Sequence, residues 1–169
     1  MATTKTITVT LQVKELIYDI QNKSYFAGQA READGSKSYE AASYIQLSDD
    51  DENGYQIRRS LTNSFTALKT LLGEYLVENK MTSSNTIVKY IDNDTQLNFE
   101  FKMPANFNEA SADSLGNNIH SYMVDIALGD WYSITNQNDA KIHYDHAQLS
   151  LDNVRRALYK RSRPSRPKY

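Results

Sequence analysis

The chain of 169 residues contains no cysteine, three prolines, six glycines and one tryptophan. The absence of cysteine excludes disulfides, thiolate nucleophiles and cysteine-ligated zinc, in keeping with a cytoplasmic origin. Six scattered glycines form neither a GxGxxG fingerprint nor a Walker loop, and no GxSxG nucleophile turn occurs. No apolar run is long enough for a transmembrane helix. The opening stretch MATTKTITVT lacks the uninterrupted apolar region of a signal peptide.

The remaining composition is that of an ordinary globular chain, 40% hydrophobic and 24% charged. At this length a single domain buries roughly two-thirds of its unfolded surface. Charge is unevenly spread. Seven of the nineteen Lys and Arg residues lie in 155–169, which holds no acid; the other twelve face twenty-one Asp and Glu residues. The body is therefore −9 and the last fifteen residues are +7, so the terminus is drawn to acidic surfaces while the bodies repel one another.

Hydrophobic periodicity sets out the elements. Ile7, Val9, Leu11 and Val13 alternate with polar residues, a strand with one buried face. Leu16, Ile17, Ile20 and Ser24 then fall at helical spacing, predicting a helix over 14–31. Residues 32–38 read as a loop, and 39–48 as one or two helical turns. Ile57, Leu61, Phe65, Leu68, Leu72, Tyr75 and Leu76 mark the clearest amphipathic helix, over about 51–78. The acids Asp49 to Glu52 before it suit a helix amino terminus or a solvated face; they do not meet the EF-hand pattern.

TIVKYID, 86–92, and QLNFEFKM, 96–103, flank Asn93–Thr95 and predict a β-hairpin whose second run turns Leu97, Phe99, Phe101 and Met103 to one face. Two further helices are predicted. The first covers 109–135 through Leu115, Ile119, Tyr122, Met123, Ile126, Trp131 and Ile134. The second carries the stripe Ala140, Tyr144, Ala147, Leu151, Val154 and Leu158 through about residue 160. Residues 136–139 form a short link, with Asn138 or Asp139 as cap, so the two helices pair antiparallel. The fold class is α+β, mainly α: about four helices, a hairpin and an amino-terminal strand in one domain over 1–161, followed by an extended basic arm over 162–169.

Chemistry is sparse. His143 and His146, at i and i+3, share a helix flank and would bind a metal only with a third ligand, His120 or Asp139. The preferred reading is three partly exposed helix histidines, with no metal, no cofactor and no catalytic site. The twelve tyrosines spread along the chain suit either the rim of a small core or a tyrosine-rich contact between subunits.

The basic stretch divides in two. Arg155, Arg156, Lys160 and Arg161 belong to the last turns of the final helix, where positive charge meets the negative end of the dipole. Pro164 and Pro167 force SRPSRPKY, with Arg163, Arg166, Lys168 and Tyr169, into an extended form. No apolar residue of 160–168 would hold it to its own core, so it is mobile or ordered by a partner. A nucleic-acid arm is one possibility, but the acidic body offers no basic and aromatic platform beside it.

This layout, a cysteine-free helical bundle with a β-hairpin and an extended carboxy-terminal arm, resembles the head–tail adaptor (connector) proteins of tailed bacteriophages. The matching pieces are the helices within 14–161, the hairpin 86–103 and the arm 162–169; the leading strand departs from the simplest adaptors. The resemblance implies a non-enzymatic virion component, assembled in the cytoplasm of a bacterial host and forming a ring between portal and tail proteins. It also implies a homo-oligomer whose hairpin, through residues such as Phe99 and Phe101, and whose arm touch neighbouring subunits. No membrane partner is expected. The alternative is a small nucleic-acid-binding or regulatory protein using the arm.

Overall fold

A computed structural model describes residues 4–33, 43, 45–47, 51–77 and 91–163. The elements run β1 (Thr4–Gln12), α1 (Val13–Ala33), α2 (Asp51–Leu71), β2 (Gln96–Pro104), α3 (Ala112–Thr135) and α4 (Gln137–Leu158), with short 3-10 turns at Gly73–Tyr75 and Glu109–Ser111. The class is α+β, mainly α, as the periodicity predicts. No helix among the described residues is long and apolar enough to cross a membrane.

Among the described residues the sheet is two-stranded and antiparallel, and β2 pairs with β1. The register sets Ile7 opposite Phe101, Val9 opposite Phe99 and Leu11 opposite Leu97. Every second residue on each strand thus meets an apolar neighbour on one face, the pairing that stabilises a sheet. The opposite face carries Thr6, Thr8 and Thr10 against Lys102, Glu100 and Asn98. Of the predicted hairpin, the second run is β2. Residues 86–90 lie outside the described residues, Ile91 and Asp92 carry no strand, and Asp92–Thr95 close a turn with Thr95 N donating to Asp92 O at 3.0 Å. On its other edge β2 receives the chain leaving α2: Leu76 bridges Phe101, and Val77 N donates to Glu100 O at 2.8 Å.

α3 is the central element, packed against α1, α2, α4 and β1. Its buried residues include Leu115, Ile119, Met123, Val124, Ala127, Leu128 and Tyr132, spread round much more than one stripe. α2 buries Ile57, Leu61 and Leu68, as its spacing predicts, together with Ser60 and Ser64, but it ends at Leu71 rather than near residue 78, and Leu72 is buried just beyond it. Ser64 Oγ satisfies itself on Leu61 O at 2.9 Å, so a hydroxyl enters the core at little cost. α1 buries Leu16, Ile20 and Ser24 and leaves Tyr18, Tyr25 and Phe26 exposed. Two bonds tie the segment 45–47 across the bundle: Trp131 Nε1 donates to Ile45 O at 2.9 Å, and Leu47 N donates to Ser24 Oγ at 3.2 Å.

Three sequence expectations need correction here. Ile134 is 69% exposed, because it lies on the side of α3 turned from its neighbours. Tyr144 is exposed at 38% rather than part of the buried stripe of α4. The link between α3 and α4 is Asn136 alone, in extended conformation (φ −160°, ψ 90°), so the break falls before Asn138 and Asp139. A one-residue link allows no freedom of orientation and holds the two helices as an antiparallel pair.

Candidate functional site

The basic end of α4 and the amino end of α3 meet, since the two helices run antiparallel. Between them lies an open groove of about 950 Å³ whose walls include Ser111, Ser114, Asp152, Arg155, Arg156 and Lys160. Arg155 Nη1 stands 3.4 Å from Asp152 Oδ1, an exposed pair that adds little to stability. Arg156 and Lys160 are exposed. The groove is therefore rich in positive charge, with the positive end of the α3 dipole beside it.

α4 ends at Leu158, so Lys160 and Arg161 lie beyond the helix rather than on its last turns. The chain is held there by its own backbone. Phe107 and Arg161 form an antiparallel bridge, Asn108 N donates to Lys160 O at 3.2 Å, and Ser162 N donates to Asn106 O at 2.7 Å. Main-chain pairing needs no apolar side chain, which is why composition suggested an unattached segment from residue 160 onward. The Arg161 guanidinium donates to Leu158 O at 2.7 Å and caps the end of α4, so its charge is turned toward its own helix. Arg163 is exposed. Arg166, Lys168 and Tyr169, the outer part of the predicted arm, lie outside the described residues. The hydroxyl of Tyr75, after α2, donates to that of Tyr159 at 2.5 Å, and this bond, followed by partial burial, pushes the Tyr75 phenol well above its ordinary range.

Phe99 and Phe101 are not surface contacts. They are 1% and 0% exposed, because strand alternation turns both to the inner face of the sheet. Phe65 meets Phe99 edge to face at 4.8 Å between centroids, and Phe99 stacks near Phe101 at 6.1 Å. Their role in this chain is core packing.

The histidines separate into two environments. His120 is engaged with α1, its Nε2 lying 2.7 Å from Asp19 Oδ2. His143 and His146, one helical turn apart on α4, face a cleft between α1, α3 and α4 of about 540 Å³. Across it stands Asp125 of α3, a carboxylate only 6% exposed. Asp125 Oδ1 lies 3.1 Å from His143 Nδ1 and 3.7 Å from Lys23 Nζ of α1. The His143 ring also leans on Tyr132, with 5.2 Å between centroids, and the His146 ring stands edge-on to it at 6.2 Å. Donor atoms of Asp125, His143 and His146 all lie within 4.8 Å of one another. The third group beside the histidine pair is thus Asp125, not His120 or Asp139. Its signal in the sequence is an acid set inside the apolar run YMVDIAL, where an unpaired charge is costly to bury.

Compared with protein-family models, curated proteins and solved structures, the chain matches none.

Proposed function

We propose that the protein is a non-enzymatic structural component of a phage or phage-like particle, a ring-forming head–tail adaptor joining portal and tail. The observation that carries this reading is the edge of β1. This nine-residue strand pairs with β2 alone among the described residues. Lys5 is its only charge and it contains no proline. Natural sheets ordinarily blunt such an edge with charge, proline or a bulge, since an unprotected one recruits another strand. Here the strand lies beside an open groove of about 550 Å³ formed with α3, lined by Thr8, Thr10, Asp113, Asn117 and His120. A strand from a neighbouring copy has room to add there, and head-to-tail repetition of such a contact closes a ring. The split between the −9 body and the +7 terminus supports the same reading, because it attracts the end of one copy to the body of the next.

Light scattering and negative-stain imaging of the purified full chain test it, alone and mixed with portal and tail proteins of a tailed phage. A defined oligomer or ring is expected. A protein that stays monomeric in both settings overturns the proposal.

The groove that gathers Arg155, Arg156 and Lys160 favours a second reading, a nucleic-acid-binding or regulatory protein whose terminus contacts phosphates. Such binding is salt-dependent and indifferent to sequence. Removal of residues 162–169 that abolishes a steep salt dependence of DNA affinity supports it; DNA affinity unchanged by the removal argues against it.

A further inference from the structure

We propose that Asp125, His143 and His146 form a binding site for one divalent transition-metal ion of the zinc class, independent of how the chain assembles. Four observations lead there. The donor set, two imidazoles and a carboxylate, is the type that zinc, nickel, copper and ferrous iron share. The donors sit on two rigid elements, the histidines on one flank of α4 and the carboxylate on α3 facing them, which is how helical bundles build metal sites. The carboxylate of Asp125 is buried, and it has drawn Lys23 Nζ to 3.7 Å, so positive charge is already favoured where an ion would stand. Finally, His146 makes no hydrogen bond to any described residue and lies at the exposed mouth of the cleft, leaving its ring nitrogens available to a ligand.

The fit requires only small movements. Zinc binds nitrogen and carboxylate oxygen at about 2.0–2.2 Å, so donors now within 4.8 Å of one another would close in by roughly an ångström. The Lys23 side chain, 49% exposed, can swing outward to make room. Three protein ligands leave the remaining coordination position open to the cleft, so the ion is accessible to water or to a donor from another chain.

The experiment uses the untagged full chain stripped with a chelator, then titrated with cobalt(II) by visible absorption and with zinc by competition against a chromophoric chelator. One equivalent is expected to bind, and His146→Ala is expected to weaken it by about tenfold or more. Asp125→Asn should weaken it similarly, but it alters a buried group; His146 is exposed, so its variant keeps the test informative if Asp125→Asn does not fold. Lys23→Met, which removes the competing charge, should bind zinc more tightly than the natural chain, and His120→Ala should bind as the natural chain does. Less than a fifth of an equivalent bound, His146→Ala titrating like the natural chain, Lys23→Met binding no more tightly, or His120→Ala abolishing binding would each overturn the proposal.

Discussion

The ring of Tyr144 occupies the space where a β-carbon of Gly129 would stand: such an atom would lie 2.7 Å from Tyr144 Cε1. α3 and α4 approach closely at this point because residue 129 has no side chain. The phenol donates to Asp130 Oδ1 at 2.8 Å, so the tyrosine is pinned at ring and hydroxyl together.

Gly129→Ala is therefore expected to push the ring away and break its bond to Asp130. The better helix propensity of alanine offsets a few tenths to about 1 kcal/mol, while overpacking costs about 1–3 kcal/mol. The net expectation is destabilisation of about 1–2 kcal/mol, read as a lower urea midpoint with an unchanged slope. In a Tyr144→Ala background the same change should cost little, because the ring that it strikes is gone.

The same contact predicts behaviour in alkali. Burial, then the hydrogen bond to Asp130, pushes the Tyr144 phenol up to about 12. Burial likewise raises Tyr122. A phenol whose pKa is raised in the folded state contributes stability below the unfolded value near 10, and that contribution is lost as pH climbs from about 10 to about 12. Stability measured across that window should fall, and Tyr144→Phe should fall less. An ultraviolet titration should show the late phenolate step diminished in Tyr144→Phe.

Phe101 supplies the strongest test of core against surface. Phe101→Ala removes a fully buried ring and should cost about 3–5 kcal/mol. Its neighbour Lys102 points to the opposite, exposed face, and Lys102→Ala should change stability by no more than about 0.5 kcal/mol. Thermal unfolding of the two variants gives the comparison. Equal small effects would place Phe101 outside the core.

Assembly through β1 makes a different prediction. Thr8 and Thr10 are exposed on the strand beside the groove. Replacing both with Lys puts like charges where a copy would pair. The expected outcome is a shift toward monomer by light scattering at an unchanged unfolding midpoint. An unchanged oligomer after this double substitution would exclude the β1 edge as the contact.

Much of the fold is legible in the sequence wherever one element's own periodicity decides it. Alternation through Leu97, Phe99, Phe101 and Met103 gives β2 and its inner face; the three-and-four spacing of Ile57, Leu61, Phe65 and Leu68 gives α2, although it runs on through Tyr75 and Leu76 after the helix has ended at Leu71. What a local pattern does not contain is the partner. β2 reads as half of a hairpin because Asn93–Thr95 precede it, yet its matched apolar neighbours are Ile7, Val9 and Leu11, far away in the chain. Ile134 continues the spacing of α3, but it falls on the side of the helix turned from its neighbours while Tyr132 beside it is buried, so the pattern alone does not say which face is packed. The candidate metal site shows the same boundary. His143 and His146 announce themselves by spacing, whereas Asp125 joins them only because a single residue, Asn136, folds α4 back along α3.

The pairing of β1 with β2 also has a consequence for synthesis. The strands close a loop spanning residues 13–95, so β1 emerges from the ribosome long before its partner exists. At about 5–20 residues per second, that wait is roughly 4–17 s. During it a Thr-rich strand carrying Ile7, Val9 and Leu11 stands with both edges unpaired, the state most prone to the wrong association. α3 and α4, by contrast, are adjacent in sequence and can close as soon as they appear. Chaperone demand during translation should therefore centre on the amino-terminal strand, and co-translational crosslinking of nascent chains should find it occupied until β2 is made.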